Sequence, residues 1–258
     1  MSGVTGPVLR VEGLGVSYGA LIALDDVTWS VREGEILGII GPNGAGKSSC
    51  YDAVTHLVRR RGQVFLNGEE VTDIAPHLLA ERGLKRAFQQ NAFFHEMTVL
   101  ENMMTVLQDR YGTGLLATAL LPFTEARRRR DAVEDARQRL LRFGIPEAYH
   151  GLKPTNIPYG TQRMLSIALA YGSGAKALLL DEPAAGLGGV DMTHLIDLLI
   201  SLKQEGLALV VIEHHMDLIM SVADKIVVLE QGRLLATGSP QQIQSDPRVL
   251  EAYLGRAQ

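Results

Sequence analysis

The sequence holds a single cysteine, Cys50, among 258 residues. A lone thiol excludes an internal disulfide framework and a cysteine-built metal cluster. Long apolar runs are also missing. Outside strand-like segments the longest, Gly112 to Phe123, spans about a dozen residues, whereas a membrane-spanning helix needs about 20. Met1 to Pro7 has neither a basic start nor an apolar stretch, so no secretory signal is expected and the chain is expected to stay in the cytosol. There is no excess of positive charge either. Twenty-five Lys and Arg against 29 Asp and Glu leave a formal net charge of −4, the opposite of the basic footprint of nucleic-acid binders. No internal repeat, heptad array or low-complexity linker is found.

What is present suits a globular α/β protein. Hydrophobic residues make up 46% of the chain, enough for a substantial core. The one basic run, Arg127 to Arg130, falls in a helix-like segment, Glu125 to Phe143, where Val133, Ala136, Leu140 and Phe143 recur at helical spacing. It reads as a solvated helix face, with lipid head groups or another subunit as the alternative partner.

Strand-like runs cover Val8 to Val11, Val27 to Val31 and Ile36 to Ile40. A glycine-rich turn and a helix over Lys47 to Leu57 follow, then a strand from Gln63 to Leu66 closed by an Asn67-Gly68 turn. Residues from about Gln90 to Gly172 read as mostly helical. Two almost wholly apolar strands come next, Ala177 to Leu180 and Leu207 to Ile212, of the kind covered on both faces in a parallel sheet. A crossover helix over Asp191 to Gln204 joins them. A last strand, Lys225 to Leu229, ends at Gln231-Gly232. The expected architecture is one domain over 1–258, a mixed α/β sheet core with an inserted helical lobe at 90–172.

Gly41-Pro42-Asn43-Gly44-Ala45-Gly46-Lys47-Ser48 fits G-x-x-x-x-G-K-[ST], after an apolar strand and before a helix. Glycines let consecutive backbone N–H groups curl inward on phosphate oxygens. Lys47 supplies positive charge to the β- and γ-phosphates, and the Ser48 hydroxyl offers a ligand to Mg²⁺. The helix that follows aims its positive end at the same anion, with Ser49 in its first turn. The bland alternative is a glycine-rich turn with no ligand. Further on, the strand Ala177 to Leu180 runs straight into Asp181-Glu182-Pro183. Two acids at the carboxyl end of a core strand are costly unless they bind something. Beside a phosphate loop they fit Asp181 as a magnesium ligand and Glu182 as the group that orients or deprotonates an attacking water.

Together these residues resemble the ATP-binding cassette ATPases that drive ABC transporters, from about Leu9 to Gly255. The resemblance implies a P-loop NTPase fold of mixed sheet, mainly parallel at its centre with an added antiparallel part, and ATP and Mg²⁺ as ligands. It implies that Tyr18 stacks on adenine. Gln89, with Gln90 as its neighbour in Arg86-Ala-Phe88-Gln89, would be the glutamine that reaches Mg²⁺ and the attacking water. His214 would be the switch histidine at the γ-phosphate, rather than His215. Tyr18-Gly-Ala-Leu-Ile-Ala-Leu, Glu96-Met-Thr-Val-Leu-Glu-Asn102, Asp181-Glu-Pro-Ala-Ala-Gly-Leu187 and the tail from Gly238 to Gly255 resemble the ATPases of branched-chain amino acid importers. That implies a second ATPase subunit, two membrane permease subunits, an extracytoplasmic binding protein, and a seat on the inner face of the cell membrane. The permeases are expected near Gln89 to Met97, where Phe93, Phe94 and Met97 supply apolar surface. A soluble cassette acting on nucleic acid or ribosomes, and a degenerate regulatory nucleotide binder, are the alternative classes. The charge and the single cassette weigh against the former, and Glu182 with His214 against the latter.

Two positions depart from the family pattern. The signature Leu-Ser-Gly-Gly-Gln, which closes over ATP held by the opposite subunit, here reads Ile157-Pro158-Tyr159-Gly160-Thr161. Tyr159 and Gly160 remain to face that ATP, but proline brings neither hydroxyl nor N–H. Gly188 stands where the family has Asp or Asn. Both departures concern what the chain offers to a partner's site, and they favour a heterodimer over a homodimer.

Overall fold

The computed structural model describes residues 6–87, 92–107 and 122–254. Contacts divide the chain into two units, one of residues 1–89 with 175–258 and one of residues 90–174.

The first unit contains two sheets. Strands β1 (Leu9–Tyr18), β2 (Leu21–Val31), β4 (Arg61–Leu66) and β5 (Glu69–Glu70) form an antiparallel sheet in the order β2-β1-β4-β5. β1 extends well past the expected Val8 to Val11. Its inward Leu9 and Val11 alternate with Arg10 and Glu12, and then the register slips between Val11 and Leu14. Gly13 sits in that slip at φ +60, a bulge that hides the strand's continuation from a period-two reading.

The second sheet has the order β10-β9-β3-β8-β7-β6. Its members are β3 (Ile36–Ile40), β6 (Leu84–Ala87), β7 (Ala177–Asp181), β8 (Ala208–Ile212), β9 (Lys225–Glu230) and β10 (Arg233–Gly238). Neighbours from β9 to β6 run parallel, and β10 pairs antiparallel with β9. Every residue of β3 and β8 is buried, as a strand covered on both faces requires. Helix α7 (Gly189–Gln204) crosses from β7 to β8 and buries Leu195, Leu198, Leu199 and Leu202, one face at helical spacing. β6, with its polar Lys85 and Arg86, carries no strand signal of its own and is recruited by pairing with β7.

Helix α1 (Lys47–Val54) is shorter than the expected Lys47 to Leu57. The Thr55 hydroxyl donates back to the Tyr51 carbonyl at 2.9 Å, and His56 turns left-handed at φ 60, which ends the helix. A short helix α2 (Pro76–Glu81) follows β5 in the same unit. Asn67 and Gly68, at φ 51 and 82, make the expected two-residue turn.

Among its described residues the second unit has helices and turns only. They are α3 (Val99–Val106), α4 (Pro122–Arg142), α5 (Glu147–His150) and α6 (Tyr159–Tyr171). Ala136, Leu140 and Phe143 are buried, while Arg128, Arg129 and Arg130 are exposed, so these three form the solvated face that the basic run suggests. Among the described residues no helix is long and apolar enough to cross a membrane.

Candidate functional site

β3 delivers the chain into the turn at Gly41 and α1 carries it away at Lys47. Three glycines make the turn possible: Gly41, Gly44 and Gly46 stand at φ 154, 80 and 100. A side chain on Gly41 would collide with the Leu229 carbonyl, and one on Gly46 would lie 2.5 Å from the Ala23 carbonyl oxygen. The result is an open cleft of about 620 Å³ above the loop, lined by Asn43 to Ser49, Tyr18, Ile22, Glu182 and Gln231 among others. Ser48 is exposed to it and Ser49 half-buried, while Pro42 is half-buried and Ala45 buried.

The Lys47 ammonium is buried and donates to the carbonyls of Gly41 at 2.7 Å and Pro42 at 3.2 Å. Burial lowers its pKa from the usual lysine value, and the carboxylates of Glu182 and Asp181 push the other way. The strand pair β7 and β8 puts those acids there: Asp181 is in register with Ile212, and the Glu182 N–H donates to the Ile212 carbonyl at 2.8 Å. Glu182 itself is left-handed, φ 47, a conformation that costs a non-glycine residue on the order of 1 kcal/mol or more. His214 leaves the end of β8 and sets its Nδ1 3.4 Å from Glu182 Oε1. Tyr18 stands at the rim, 48% exposed, beside the still more open Leu21 and Ile22.

Lys47, Ser48, Glu182 and Tyr18 thus share one cleft, with His214 in contact with Glu182. Tyr159 and Gly160 lie in the other unit, at the start of α6, the tyrosine exposed and the glycine buried. Pro158 is the residue that caps α6, and it makes no side-chain cap bond. Gly188 holds the same position at α7, again without a cap. Gln89 and Gln90 lie outside the described residues.

The arrangement fits a nucleoside triphosphate: a glycine-built loop at a helix start, a buried cation, an exposed hydroxyl and two acids. The oxygen donors of Ser48 and Asp181 also suit a hard cation such as Mg²⁺.

Comparison with known proteins decides the family. The family model described as ABC transporter matches residues 24–185. The chain belongs to the ABC transporter ATP-binding cassettes. It is therefore an ATPase of that class, and its P-loop α/β fold is theirs. A second model, described as branched-chain amino acid ATP-binding cassette transporter, matches residues 233–258. The high-affinity branched-chain amino acid transport ATP-binding protein BraF of Pseudomonas aeruginosa is 37% identical, covering 97% of this chain and 99% of that one. LivG of Escherichia coli K12, of the same description, is 35% identical at the same coverage. The crystal structure of the ADP conformation of MJ1267, an ATP-binding cassette of an ABC transporter, superposes with a TM-score of 0.83 at 29% identity. It covers 98% of this chain and 100% of that one.

Sequence reasoning missed two contributors to this cassette's site. Gln231 and Gly232 read only as a turn, yet both line the cleft. Glu213 drew no role, yet it is fully buried and hydrogen-bonded on both oxygens. A charge directly after six apolar residues, Leu207 to Ile212, was the available signal, by the same cost argument that singles out Asp181.

Proposed function

We propose that this chain is the ATP-hydrolysing subunit of a binding-protein-dependent importer of branched-chain amino acids or related small solutes, on the inner face of the cell membrane. The observation that carries the reading is the meeting of Lys47, Ser48 and Glu182 in one cleft with His214 against Glu182, in a chain whose tail matches the branched-chain cassettes. Gly41 to Ser49 receive the phosphates on backbone N–H groups and on the helix start, and Lys47 moves its donors from the loop carbonyls to the phosphate oxygens. Mg²⁺, when bound, neutralises phosphate charge, and Ser48, Asp181 and Gln89 are the residues that would hold it. Glu182 orients the attacking water and takes its proton. His214 donates to the γ-phosphate, and Tyr18 stacks on the base. The exposed Phe94 and Met97 offer apolar contact to two permease subunits.

The residue range 90–172 acts as the inserted lobe that carries the signature, with Tyr159 and Gly160 facing ATP on a second ATPase subunit. The two cap positions without capping side chains, Pro158 and Gly188, support an asymmetric heterodimer. ATP on this chain is hydrolysed under the partner's signature, and ATP on the partner turns over slowly under Pro158. In the assembled transporter Glu182→Gln should keep ATP binding and lower turnover about a hundredfold or more, the usual size of a lost general base. On that silenced background Pro158→Ser should raise the remaining turnover. Unchanged turnover there would remove the asymmetry from the proposal, and turnover that survives Glu182→Gln would remove the catalytic assignment.

A further inference from the structure

The Glu213 carboxylate lies at 0% exposure immediately after β8. Its Oε1 accepts the Ala184 N–H at 2.7 Å, inside the turn that follows Glu182. Its Oε2 accepts the N–H of His214 at 3.0 Å and of His215 at 3.2 Å, and lies 3.1 Å from His215 Nδ1. A single side chain thus ties the turn bearing the left-handed Glu182 to the loop bearing His214. These are the two groups whose side chains meet at 3.4 Å.

We propose that Glu213 is a positioning residue for ATP hydrolysis, a clamp that fixes Glu182 and His214 relative to each other without touching nucleotide. The proposal rests on the roles given above to Glu182 and His214. Only a carboxylate has the required chemistry, because acceptors are needed on both oxygens. Glutamine has the same shape but one acceptor. Its amide NH₂ would meet either the Ala184 N–H or the paired N–H groups of His214 and His215, donor against donor in a site closed to water. One half of the clamp would open, and the left-handed turn or the histidine loop would relax. The phosphate loop is not among the hydrogen-bond partners of the Glu213 carboxylate and would keep its form. The signature of a clamp is therefore a fall in kcat with little change in the KM for ATP.

The test is the ATPase rate of the assembled transporter with Glu213→Gln, beside His214→Ala and the melting temperature of each variant. Expected for Glu213→Gln is a kcat lowered about tenfold to a hundredfold, with the KM for ATP within threefold of the parent, in protein that melts as a folded species. Glu213→Asp keeps the charge but is one methylene shorter. It should give an intermediate kcat, and it decides by the same criteria if the glutamine variant does not fold. A kcat within twofold of the parent in the folded variant, or a KM that rises in step with the fall in kcat, overturns the proposal. If His214→Ala leaves turnover intact, the site reading itself falls and the clamp with it. If His214→Ala silences the site and Glu213→Gln does not, the clamp alone falls.

Discussion

Lys47 illustrates how one residue type serves two states. Its ammonium is buried on its own loop's carbonyls; in the proposed nucleotide-bound state it instead makes charge-assisted bonds to phosphate worth about 1.5–3 kcal/mol. Lys47→Ala should weaken ATP binding about tenfold to a hundredfold in a titration with a fluorescent ATP analogue. Three helix positions further on, burial pushes the Cys50 thiol from its ordinary 9.0 up to about 12, and it moves the neighbouring Tyr51 phenol upward as well. Both groups keep their protons when folded at a pH where the unfolded chain loses them. Their contribution is thus intact below about pH 9 and is lost as pH rises toward about 12. Urea midpoints should be level from pH 7 to 8.5 and fall by pH 10.5, and a thiol reagent at pH 8 should label Cys50 only in unfolded protein. At this scale the loop and the acids were legible because each has a local string with its own chemistry. Glu213 was not, since its partners at Ala184 and His215 come together only when β7 and β8 pair.

At the scale of elements, helix starts carry much of the specificity. α3 begins with a capping box: the Thr98 hydroxyl accepts the Glu101 N–H, and the Glu101 carboxylate accepts the Thr98 N–H at 2.7 Å. Behind it the buried Asn102 donates to the carbonyls of Phe94, Met97 and Thr98 and accepts the Phe94 N–H at 2.8 Å. That side chain shapes the segment which holds Phe94 and Met97 at the surface. Asn102→Ala would strand several buried groups and should cost about 2–3 kcal/mol in urea unfolding. Gly188 is the converse case. Its backbone is extended, at φ −156, and nothing lies within 4 Å of a built Cβ. Gly188→Asp should supply the missing cap and stabilise the fold by a few tenths of a kcal/mol, read as a melting temperature no lower than the parent's. The apolar central strands β3, β7 and β8 were plain from composition alone. β6 and β10 were not, because they owe their conformation to pairing with neighbours, and β1 was truncated in the reading by the bulge at Gly13.

For the whole molecule, the class of the chain follows from its cleft and its family. The departures are at Pro158 and Gly188, and Gly188 is not among the residues that line this chain's own cleft. Both lie at helix starts, and on the proposed reading those starts face a partner's ATP. On that reading this subunit hydrolyses its own ATP and assists its partner poorly. The direct measurement is steady-state ATP hydrolysis by the assembled transporter with one site silenced at a time, Glu182→Gln here or the equivalent change in the partner. If the proposed asymmetry holds, Glu182→Gln removes most of the turnover and silencing the partner's site removes little. Equal losses from the two changes, or turnover that persists in Glu182→Gln, would contradict it.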